Sequence, residues 1–285
     1  MKLIRFTSKD EFIKYFDRNH EQRMSVERYI GDKHKNDEEW YLDGYCEACK
    51  TPTAFKMDWR YAFDDIPNYR ERLICENCKL NNRQRFMIAC LKKIINQTQQ
   101  TILTIYIYEE VTLFYKYMFK TFSKQMDIVG SEYLGIDKKR GKRYQGIRHE
   151  DALNLSFGDE SVDIIVSNDV FEHVPNIHKA LTEAFRILTK RGKILFTIPF
   201  YIKENKTKKR AFLDNNGNIK MNLPPQYHGN PISKKGSLVF YDFGWDILDI
   251  CRNAGFKDVF IMGNYSMLYG YVGGGIQYIF VADKS

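Results

Sequence analysis

The chain has 285 residues, of which 44% are hydrophobic, 15% aromatic and 28% charged. This composition excludes a disordered or fibrous protein, because a chain of this length and hydrophobicity can bury a large core. Lysine and arginine (44) outnumber aspartate and glutamate (36), which gives a net charge of +8. The positive charge is mostly dispersed along the chain, so it does not by itself indicate a polyanionic partner.

The N-terminal residues argue against a secretion signal, since charged side chains interrupt any apolar stretch at positions 2, 5, 9, 10 and 11. No segment approaches 18 consecutive apolar residues, so a transmembrane helix is not expected. We therefore expect a soluble, cytoplasmic protein without a membrane span.

The first predicted element is a helix that begins after Ser8. Ser8 and Glu11 have the spacing of a capping box, in which each side chain bonds to the other residue's backbone N–H. Phe12, Ile13 and Phe16 follow at helical spacing and predict the apolar side of this helix.

Two Cys-x-x-Cys pairs come next, separated by 25 residues: Cys46 with Cys49, and Cys75 with Cys78. In a reducing compartment such pairs favour metal binding over disulfides, and two of them complete a tetrahedral Zn²⁺ shell. Four thiolates leave no open coordination position, so we predict a structural zinc site that holds a small domain together. A thioredoxin-like redox motif is disfavoured, because neither pair opens a helix within a βαβ unit.

The N-terminal domain, helical and zinc-binding, is predicted to comprise residues 1–98. Arg83 and Arg85 follow the second cysteine pair and precede an apolar helical pattern that includes Phe86 and Cys90. The two arginines would either point at an anion or face solvent. Cys90, like Cys251 in a later apolar stretch, is predicted to pack as a small buried hydrophobic residue.

Residues 99–285 form the second predicted domain, in which short apolar strands alternate with helical segments as in parallel α/β proteins. The predicted strands are 102–108, 127–133, 162–167, 192–199, 259–262 and 276–282, and the predicted helices are 111–119, 177–188 and 243–254. Gly255 fits the position that follows a helix C-terminus. The last two strands would complete a seven-stranded sheet.

Segments of this domain at residues 150–157, 161–175 and 192–199 resemble the class I S-adenosylmethionine-dependent methyltransferases. Residues 225–231 and 242–246 resemble a bacterial subgroup associated with modification of glycans or other small molecules. Members of that subgroup carry a Cys-x-x-Cys domain that ends in an Asn-Asn-Arg-x-Arg stretch like residues 81–85. The resemblance implies a Rossmann-like, seven-stranded, mostly parallel sheet flanked by helices, behind a small N-terminal zinc-binding domain.

The resemblance also implies an S-adenosylmethionine site at the carboxyl ends of the strands, where ligands bind in open parallel sheets. It places Glu132, with Asp137 as the alternative, on the ribose hydroxyls, and it places Asp151 on the adenine amino group. The other residues implied in this way are Ala152 and Leu153 beside the adenine ring, and Ser167, Asn168 and Asp169 near the methionine portion.

One segment departs from the family pattern, which has a glycine-rich turn after the first strand of the domain. Residues 105–111 contain no glycine, and Tyr106 and Tyr108 add bulk where the backbone would approach the cofactor. Glu109 and Glu110 would instead hold the cofactor's α-ammonium group, as the resemblance to the subgroup implies. The alternative is a degenerate pocket that binds the cofactor weakly or not at all.

Transfer of a methyl group to a hydroxyl requires a proton acceptor, and a histidine near its ordinary pKa can serve at neutral pH. His228 is the first candidate for this catalytic base and His173 the second, although His173 would equally suit a packed or cofactor-contacting role. His149 and His178 are predicted to lie on the surface. Tyr227 and Tyr241 would either line an acceptor pocket or belong to the core.

Two further motifs have competing interpretations. The lysine-rich segment 203–210 is interpreted as a solvated loop in preference to a phosphate-binding one. The segment Tyr271-Val-Gly273-Gly274-Gly275 resembles a phosphate-binding loop, but it does not join a strand to a helix. A turn or a close backbone approach is the favoured interpretation there.

The sequence therefore indicates an S-adenosylmethionine-dependent methyltransferase that O-methylates a sugar, a glycan precursor or a related small metabolite. The alternative is a zinc-ribbon nucleic-acid-binding protein with a catalytically silent Rossmann-like domain. Nucleic-acid binding is disfavoured, because basic and aromatic residues do not interleave as in a stacking platform. The acceptor, the methylated position and the oligomeric state stay open.

Overall fold

The computed structural model describes residues 1–98 and 102–285. The chain divides into two compact units, Met1–Gln99 with Phe260–Ile279, and Gln100–Val259 with Phe280–Ser285. Residue 99, where the second domain was predicted to begin, lies outside the described residues. Within the described ranges, no helix is both long enough and apolar enough to cross a membrane.

The described residues form five α-helices, one short 3₁₀ helix and eighteen strands. The helices are α1 (Lys9–Lys33), α2 (Asn82–Asn96), α3 (Leu113–Phe122), α4 (Ile177–Ile187) and α5 (Ile247–Asn253), with a short 3₁₀ helix at Phe171–His173. The strands up to the middle of the chain are β1 (Ile4–Phe6), β2 (Glu39–Cys46), β3 (Thr51–Asp58), β4 (Ile74–Cys75), β5 (Thr104–Ile107), β6 (Asp127–Gly130), β7 (Arg143–Tyr144), β8 (Ile147–Arg148) and β9 (Val162–Asn168). The later strands are β10 (Leu188–Thr197), β11 (Lys208–Lys209), β12 (Ala211–Leu213), β13 (Ile219–Met221), β14 (Tyr227–Asn230), β15 (Ser233–Leu238), β16 (Tyr241–Asp242), β17 (Asp258–Asn264) and β18 (Gln277–Asp283).

Seven of these strands form one mixed sheet in the order β1-β17-β18-β10-β9-β5-β6. The half of the sheet formed by β10, β9, β5 and β6 is parallel, while β10 pairs with β18 and β1 with β17 in the antiparallel sense. The sheet is therefore mixed, and the predicted parallel pairing holds for the half that ends at β6. A seven-stranded sheet with helices agrees with the α/β fold class expected from the sequence. The expectation that residues 99–285 supply all seven strands was wrong, since β1 is the N-terminal segment Ile4–Phe6.

Burial explains why the predicted α/β elements form. Strand β9 is buried at six of its seven positions, as expected for a central parallel strand that is covered on both faces. Helix α4 buries Ala180, Leu181 and Ala184 on one side, and the Asn176 side chain caps it by accepting a bond from the backbone N–H of Lys179. Gly255 has a φ of 113° after α5, a left-handed conformation that favours glycine.

In the first unit, α1 begins after Ser8 as predicted, but its cap differs from the expected box. The Ser8 hydroxyl accepts from the backbone N–H of Glu11 at 3.3 Å. The Glu11 carboxylate accepts instead from the backbone N–H and the hydroxyl of Thr7, at 2.7 and 2.9 Å. A capping box forms at the start of α2, where the Asn81 and Gln84 side chains each accept from the other residue's backbone N–H.

Arg83 points at an anion of its own chain, one of the two environments expected from the sequence, whereas Arg85 has neither of them. Arg85 is fully buried, and its guanidinium donates to the carbonyls of Leu73, Tyr269 and Gly270 over the face of the Phe55 ring. The Arg83 guanidinium bonds to both carboxylate oxygens of Glu71. Both arginines therefore stabilise the first unit from within.

The glycine run near the C-terminus is a turn that binds a carboxylate of the same chain. The backbone N–H groups of Gly273, Gly274 and Gly275 donate to the fully buried Glu27 side chain at 2.9, 3.0 and 3.4 Å. All three glycines have positive φ values, the conformation in which consecutive N–H groups point to one anion. The resemblance to a phosphate loop thus reflects an internal anion, Glu27.

Replacing Glu27 by alanine is expected to destabilise the protein by about 1–3 kcal/mol, because three backbone N–H groups lose their acceptor and the one of Gly275 is buried. Burial raises the pKa of Glu27, so relief of its desolvation offsets part of the loss. Urea denaturation measures the effect, and Glu21→Ala, at an exposed position of the same helix, is the matched control. Equal midpoints for the two variants would contradict this account.

Candidate active site

The candidate site lies at the carboxyl ends of β5, β6 and β9, three neighbouring parallel strands of the second unit. The backbone N–H of Tyr108 bonds to the carbonyl of Val166, so the segment after β5 stays next to β9. Because the ends of parallel strands meet at one edge of a sheet, side chains that follow these strands come together there.

The glycine-free segment after β5 accommodates its two tyrosines in the core. Tyr106 is fully buried and its hydroxyl lies 2.7 Å from that of Ser131. The Tyr108 ring packs edge-on against Phe171 at 5.5 Å, and burial raises the pKa of both phenols. The Tyr108 hydroxyl is buried and has no hydrogen-bond partner among the described residues. The side chains of Tyr106 and Tyr108, which the sequence suggested would crowd the turn at the cofactor, therefore lie in the core.

Glu132 anchors this segment from the neighbouring strand. One carboxylate oxygen, Oε1, accepts from the backbone N–H groups of Glu110 at 2.8 Å and Val111 at 3.1 Å. Burial raises the pKa of the Glu132 carboxyl, and the two N–H bonds counteract that effect. The bonds from Glu132 fix the backbone of a turn that lacks the customary glycines.

The two consecutive acidic residues of the turn point to different partners. Glu109 is buried and its carboxylate accepts from the side-chain amide of Asn168 at 2.5 Å. Glu110 accepts from the Arg143 guanidinium at 2.7 Å and from the backbone N–H of Arg148 at 2.6 Å. Glu109 thus contacts Asn168, whereas the Glu110 side chain is bonded to the β7–β8 hairpin.

The segment around Asp151 lies beside the end of β6, because Glu132 and His149 form a parallel bridge. The Asp151 carboxylate accepts from the backbone N–H of Leu153 at 2.9 Å, and Ala152 and Leu153 are half-buried in the same turn. The prediction of a surface His149 was wrong. Its side chain is almost fully buried, and Nδ1 accepts from the backbone N–H of Leu134 at 3.0 Å.

The end of β9 holds polar groups that the fold leaves unsatisfied. Among the described residues, the Ser167 hydroxyl and the Asn168 side-chain oxygen are buried and have no hydrogen-bond partner. Asp169 follows with a φ of 51°, a strained left-handed conformation. Unsatisfied and strained groups of this kind cluster at functional sites.

Glu172 and His173, which lie just after β9 in the chain, form a cluster with His228. Glu172 is fully buried in the 3₁₀ helix, and its Oε1 lies 3.5 Å from His228 Nδ1 and 3.7 Å from His173 Nε2. Burial raises the pKa of the Glu172 carboxyl. The two candidate bases predicted from the sequence are therefore neighbours, with ring centroids 5.1 Å apart. Their shared carboxylate was not predicted.

A cavity of about 550 Å³ opens beside Tyr133, the residue that follows Glu132. Its lining includes Tyr133, Tyr144, Lys138 and Asn230. Both tyrosine rings also pack against His149. The predicted acceptor tyrosines lie elsewhere: Tyr227 is exposed and does not line this cavity. Tyr241 is buried, with its hydroxyl bonded to the carbonyl of Pro175.

The lysine-rich segment is largely exposed, in agreement with a solvated loop. Lys208 pairs with Glu204 at 2.7 Å, and Arg210 pairs with Asp242 at 2.6 Å. Asp137 is exposed and pairs with Lys138. His178 is exposed, as predicted.

In the first unit, the four cysteines of the Cys-x-x-Cys pairs come together as the sequence predicted. Cys46 Sγ lies 3.9 Å from Cys78 Sγ, and Cys49 Sγ lies 3.8 Å from Cys75 Sγ. A tetrahedral ion with bonds of about 2.3 Å separates its ligands by about 3.8 Å, so the four sulfurs fit Zn²⁺. Cys90 and Cys251 are buried apart from this cluster, also as predicted.

Residues 117–196, which include Glu132, Asp151 and Asn168, match the methyltransferase domain family. The chain is also similar to the demethylmenaquinone methyltransferase of Alkalihalophilus pseudofirmus, with 30% identity over 74 residues. That alignment covers 26% of this chain and spans only 30% of the length of the curated relative. Sequence similarity thus supports a methyltransferase domain in the middle of the chain.

Two solved structures show partial similarity. An S-adenosylmethionine-dependent methyltransferase from Mesorhizobium loti is 12% identical with a TM-score of 0.39, covering 67% of this chain and 96% of that one. The phosphoethanolamine N-methyltransferase 2 of Haemonchus contortus, solved with S-adenosyl-L-methionine, is 16% identical with a TM-score of 0.38, covering 62% and 37%. Scores this low assign neither a cofactor nor a substrate to this chain.

Proposed function

We propose that the protein is an S-adenosylmethionine-dependent methyltransferase that methylates a hydroxyl of a sugar, a glycan precursor or a related small metabolite. The observation that carries this proposal lies at the carboxyl ends of three parallel strands, where Glu109 bonds to Asn168 and Glu132 bonds to the backbone of the next two residues, Glu110 and Val111. Glu132 and Asn168 lie in the segment that matches the methyltransferase domain family.

The polar groups at these strand ends fit the cofactor's chemistry. The buried Tyr108 hydroxyl and the Asn168 side-chain oxygen lack partners within the described ranges and would be satisfied by a polar ligand. Glu132 would accept from the ribose hydroxyls with the oxygen that does not hold the turn. Asp151 would accept from the adenine amino group, with Ala152 and Leu153 beside the ring.

Glu109 is the better of the two candidates for the cofactor's α-ammonium group. Its buried carboxylate is oriented by Asn168, whereas Glu110 already accepts from an arginine and a backbone N–H. A buried carboxylate attracts an ammonium group more strongly than one screened by solvent. Asp169 would lie near the reactive methyl group.

The bound cofactor would supply a methyl group that is already activated by its sulfonium, so the chain mainly orients the acceptor and removes a proton. His228 is half-buried, and His173 lies beside it. The Glu172 carboxylate next to both rings would stabilise the imidazolium that forms when a histidine accepts the acceptor's proton. The cavity beside Tyr133 and Tyr144 has room for a small ring-shaped acceptor.

Four of the basic residues that favoured a nucleic-acid-binding protein contact other groups of the same chain. Arg85 is buried among carbonyls and Arg83 is bonded to Glu71. Lys208 and Arg210 of the lysine-rich segment pair with acidic residues. These contacts support a small-molecule acceptor in preference to nucleic acid.

Calorimetry with S-adenosylhomocysteine tests the proposed function. Binding is expected for the full chain, and Glu132→Ala or Asp151→Ala should weaken it at least tenfold, or about 1.4 kcal/mol, because each removes a carboxylate that accepts from the nucleoside. Asp137→Ala is the matched control, since this exposed carboxylate pairs with Lys138 and should leave the affinity unchanged. Absence of binding at millimolar ligand would reject the proposal.

A further inference from the structure

We propose that Glu172, His173 and His228 bind one divalent transition-metal ion, at a site separate from the four-cysteine cluster. Each residue offers one ligand atom, and the three atoms lie within 4.8 Å of one another. The metal-binding part of this inference follows from the chain's own geometry. Its consequence for catalysis rests on the proposed function.

The strongest observation is the state of the Glu172 carboxylate. The side chain is fully buried, and neither oxygen has a hydrogen-bond partner within the residues that the structure describes. A buried carboxylate without hydrogen bonds or a bound cation is costly, because burial removes its hydration. Two imidazole nitrogens, His228 Nδ1 and His173 Nε2, lie 3.5 and 3.7 Å from Glu172 Oε1. A cation between the three groups would satisfy the carboxylate.

The separations suit ligands that share one ion. Imidazole nitrogens and carboxylate oxygens bind first-row metals at about 2.0–2.2 Å, which places neighbouring ligand atoms about 3.0–3.6 Å apart. Glu172 Oε1 lies at or close to that range from both nitrogens. Small side-chain rotations would therefore bring all three atoms to bonding distance.

Hydrogen bonds orient the rings as ligands. His173 Nδ1 lies 2.9 Å from the carbonyl of Leu238, so Nδ1 carries the hydrogen and the lone pair of Nε2 faces Glu172. A metal-binding histidine commonly has such a bond on its second nitrogen. His228 Nε2 lies 3.4 Å from the Gln226 side-chain amide, whose oxygen would accept from Nε2 after a 180° turn of the amide. That arrangement leaves the lone pair of Nδ1 for the ion.

The backbone holds the three ligands in place from two elements. Glu172 and His173 belong to the 3₁₀ helix that follows β9, and His228 belongs to the β14–β15 hairpin. The backbone N–H of Phe240 donates to the carbonyl of Glu172 at 2.7 Å, and His173 bonds to Leu238 at the end of β15. These bonds tie the hairpin to the helix, so the ligand set is positioned before an ion binds.

Two imidazoles and one carboxylate favour Zn²⁺, Mn²⁺, Fe²⁺ or Co²⁺ over Ca²⁺ or Mg²⁺, which prefer oxygen ligands. Three protein ligands leave coordination positions open, unlike four thiolates. The side chains of His173 and His228 are 18% and 31% exposed, so an oxygen of the acceptor could reach those positions. The ion would lower the pKa of that hydroxyl, so that its proton could pass to solvent before the methyl group is transferred. With the ion bound, the hydroxyl would not need a histidine as its proton acceptor.

Elemental analysis of the full chain after dialysis tests the site. The wild-type protein, equilibrated with Zn²⁺ or in a second experiment with Mn²⁺, is expected to hold one ion more per chain than His228→Gln or Glu172→Gln. His178→Gln, which alters an exposed histidine of α4, is the matched control and should bind as the wild type does. His228 is half-buried on a hairpin, so its variant is expected to keep the wild-type melting temperature within a few degrees.

Equal metal contents in wild type and His228→Gln, with both ions, would overturn the proposal. Binding of S-adenosylhomocysteine to the same samples separates the two hypotheses. Cofactor binding without the extra ion rejects the metal site alone, and the extra ion without cofactor binding rejects the proposed function alone.

Discussion

Cys75→Ser is expected to unfold the first unit and to release one zinc ion per chain. Structural zinc contributes about 10–16 kcal/mol of apparent binding free energy in small zinc-finger peptides, which is comparable to the whole stability of a domain. Loss of one of four thiolates removes a large part of that stabilisation. Thermal denaturation followed by circular dichroism, together with zinc content by mass spectrometry, measures the result.

The structure explains why this unit would depend on the ion. The four cysteines lie around β2, β3 and β4, a three-stranded sheet whose third strand has only two residues. Small sheets of this kind usually need a disulfide or a metal to be stable. The sulfur separations of 3.8 and 3.9 Å are too long for disulfides, and they fit ligands of one ion.

Cys90→Ala is the control for the zinc prediction, because Cys90 is a buried cysteine of α2 outside the four-cysteine cluster. It should lower stability only by the small amount that a lost sulfur atom costs, about 1 kcal/mol. A chelator should reproduce the effect of Cys75→Ser, and added Zn²⁺ should reverse it. If the Cys75→Ser protein had the same melting temperature as the Cys90→Ala protein, this result would contradict a structural role of the metal.

The sequence predicted the helices and strands that have a clear hydrophobic period of their own. The buried strand β9 and the amphipathic helix α4 lie within a residue or two of their predicted bounds. Strand β1 was missed because three residues are too few to show a period, and its assignment depends on pairing with β17. Arg85 was misjudged for a similar reason, since the carbonyls that it binds include two from residues 269 and 270.

In the candidate site, too, the sequence did not reveal features that depend on contacts between distant segments. The family resemblance implied Glu132, with Asp137 as the alternative, and it implied Glu109 and Glu110 together. Only the folded chain distinguishes Glu109 from Glu110, because their bonding partners lie on different segments. The Glu172 carboxylate was missed, although the sequence motif contains it, because its significance depends on His228, which is 56 positions away along the chain. His149 was expected on the surface, but its pairing with Glu132 and its aromatic neighbours bury it. Polar residues that the fold buries against distant segments are not recognisable from local hydrophobic periodicity.

Glu109→Gln is expected to weaken binding of S-adenosylhomocysteine about 30- to 5000-fold, without a comparable effect on 5′-methylthioadenosine. Removing the charge of one member of a buried, hydrogen-bonded ion pair costs about 2–5 kcal/mol. In the proposed complex, the Glu109 carboxylate and the cofactor's α-ammonium group form such a pair. 5′-Methylthioadenosine has the same adenosine and sulfur but lacks the amino-acid portion, so it reports any general damage to the pocket.

Comparing the affinities for S-adenosylhomocysteine and 5′-methylthioadenosine shows whether Glu109 of the glycine-free turn contacts the cofactor or only supports the pocket. Glu132→Ala should weaken both ligands, because each carries the ribose, whereas Glu109→Gln should weaken only the one with an ammonium group. Equal losses for both ligands in Glu109→Gln would show that the bond between Glu109 and Asn168 supports the pocket without contacting the cofactor. The expected selective loss would mean that a buried carboxylate, oriented by the end of β9, compensates for the backbone N–H groups that a glycine-rich turn provides.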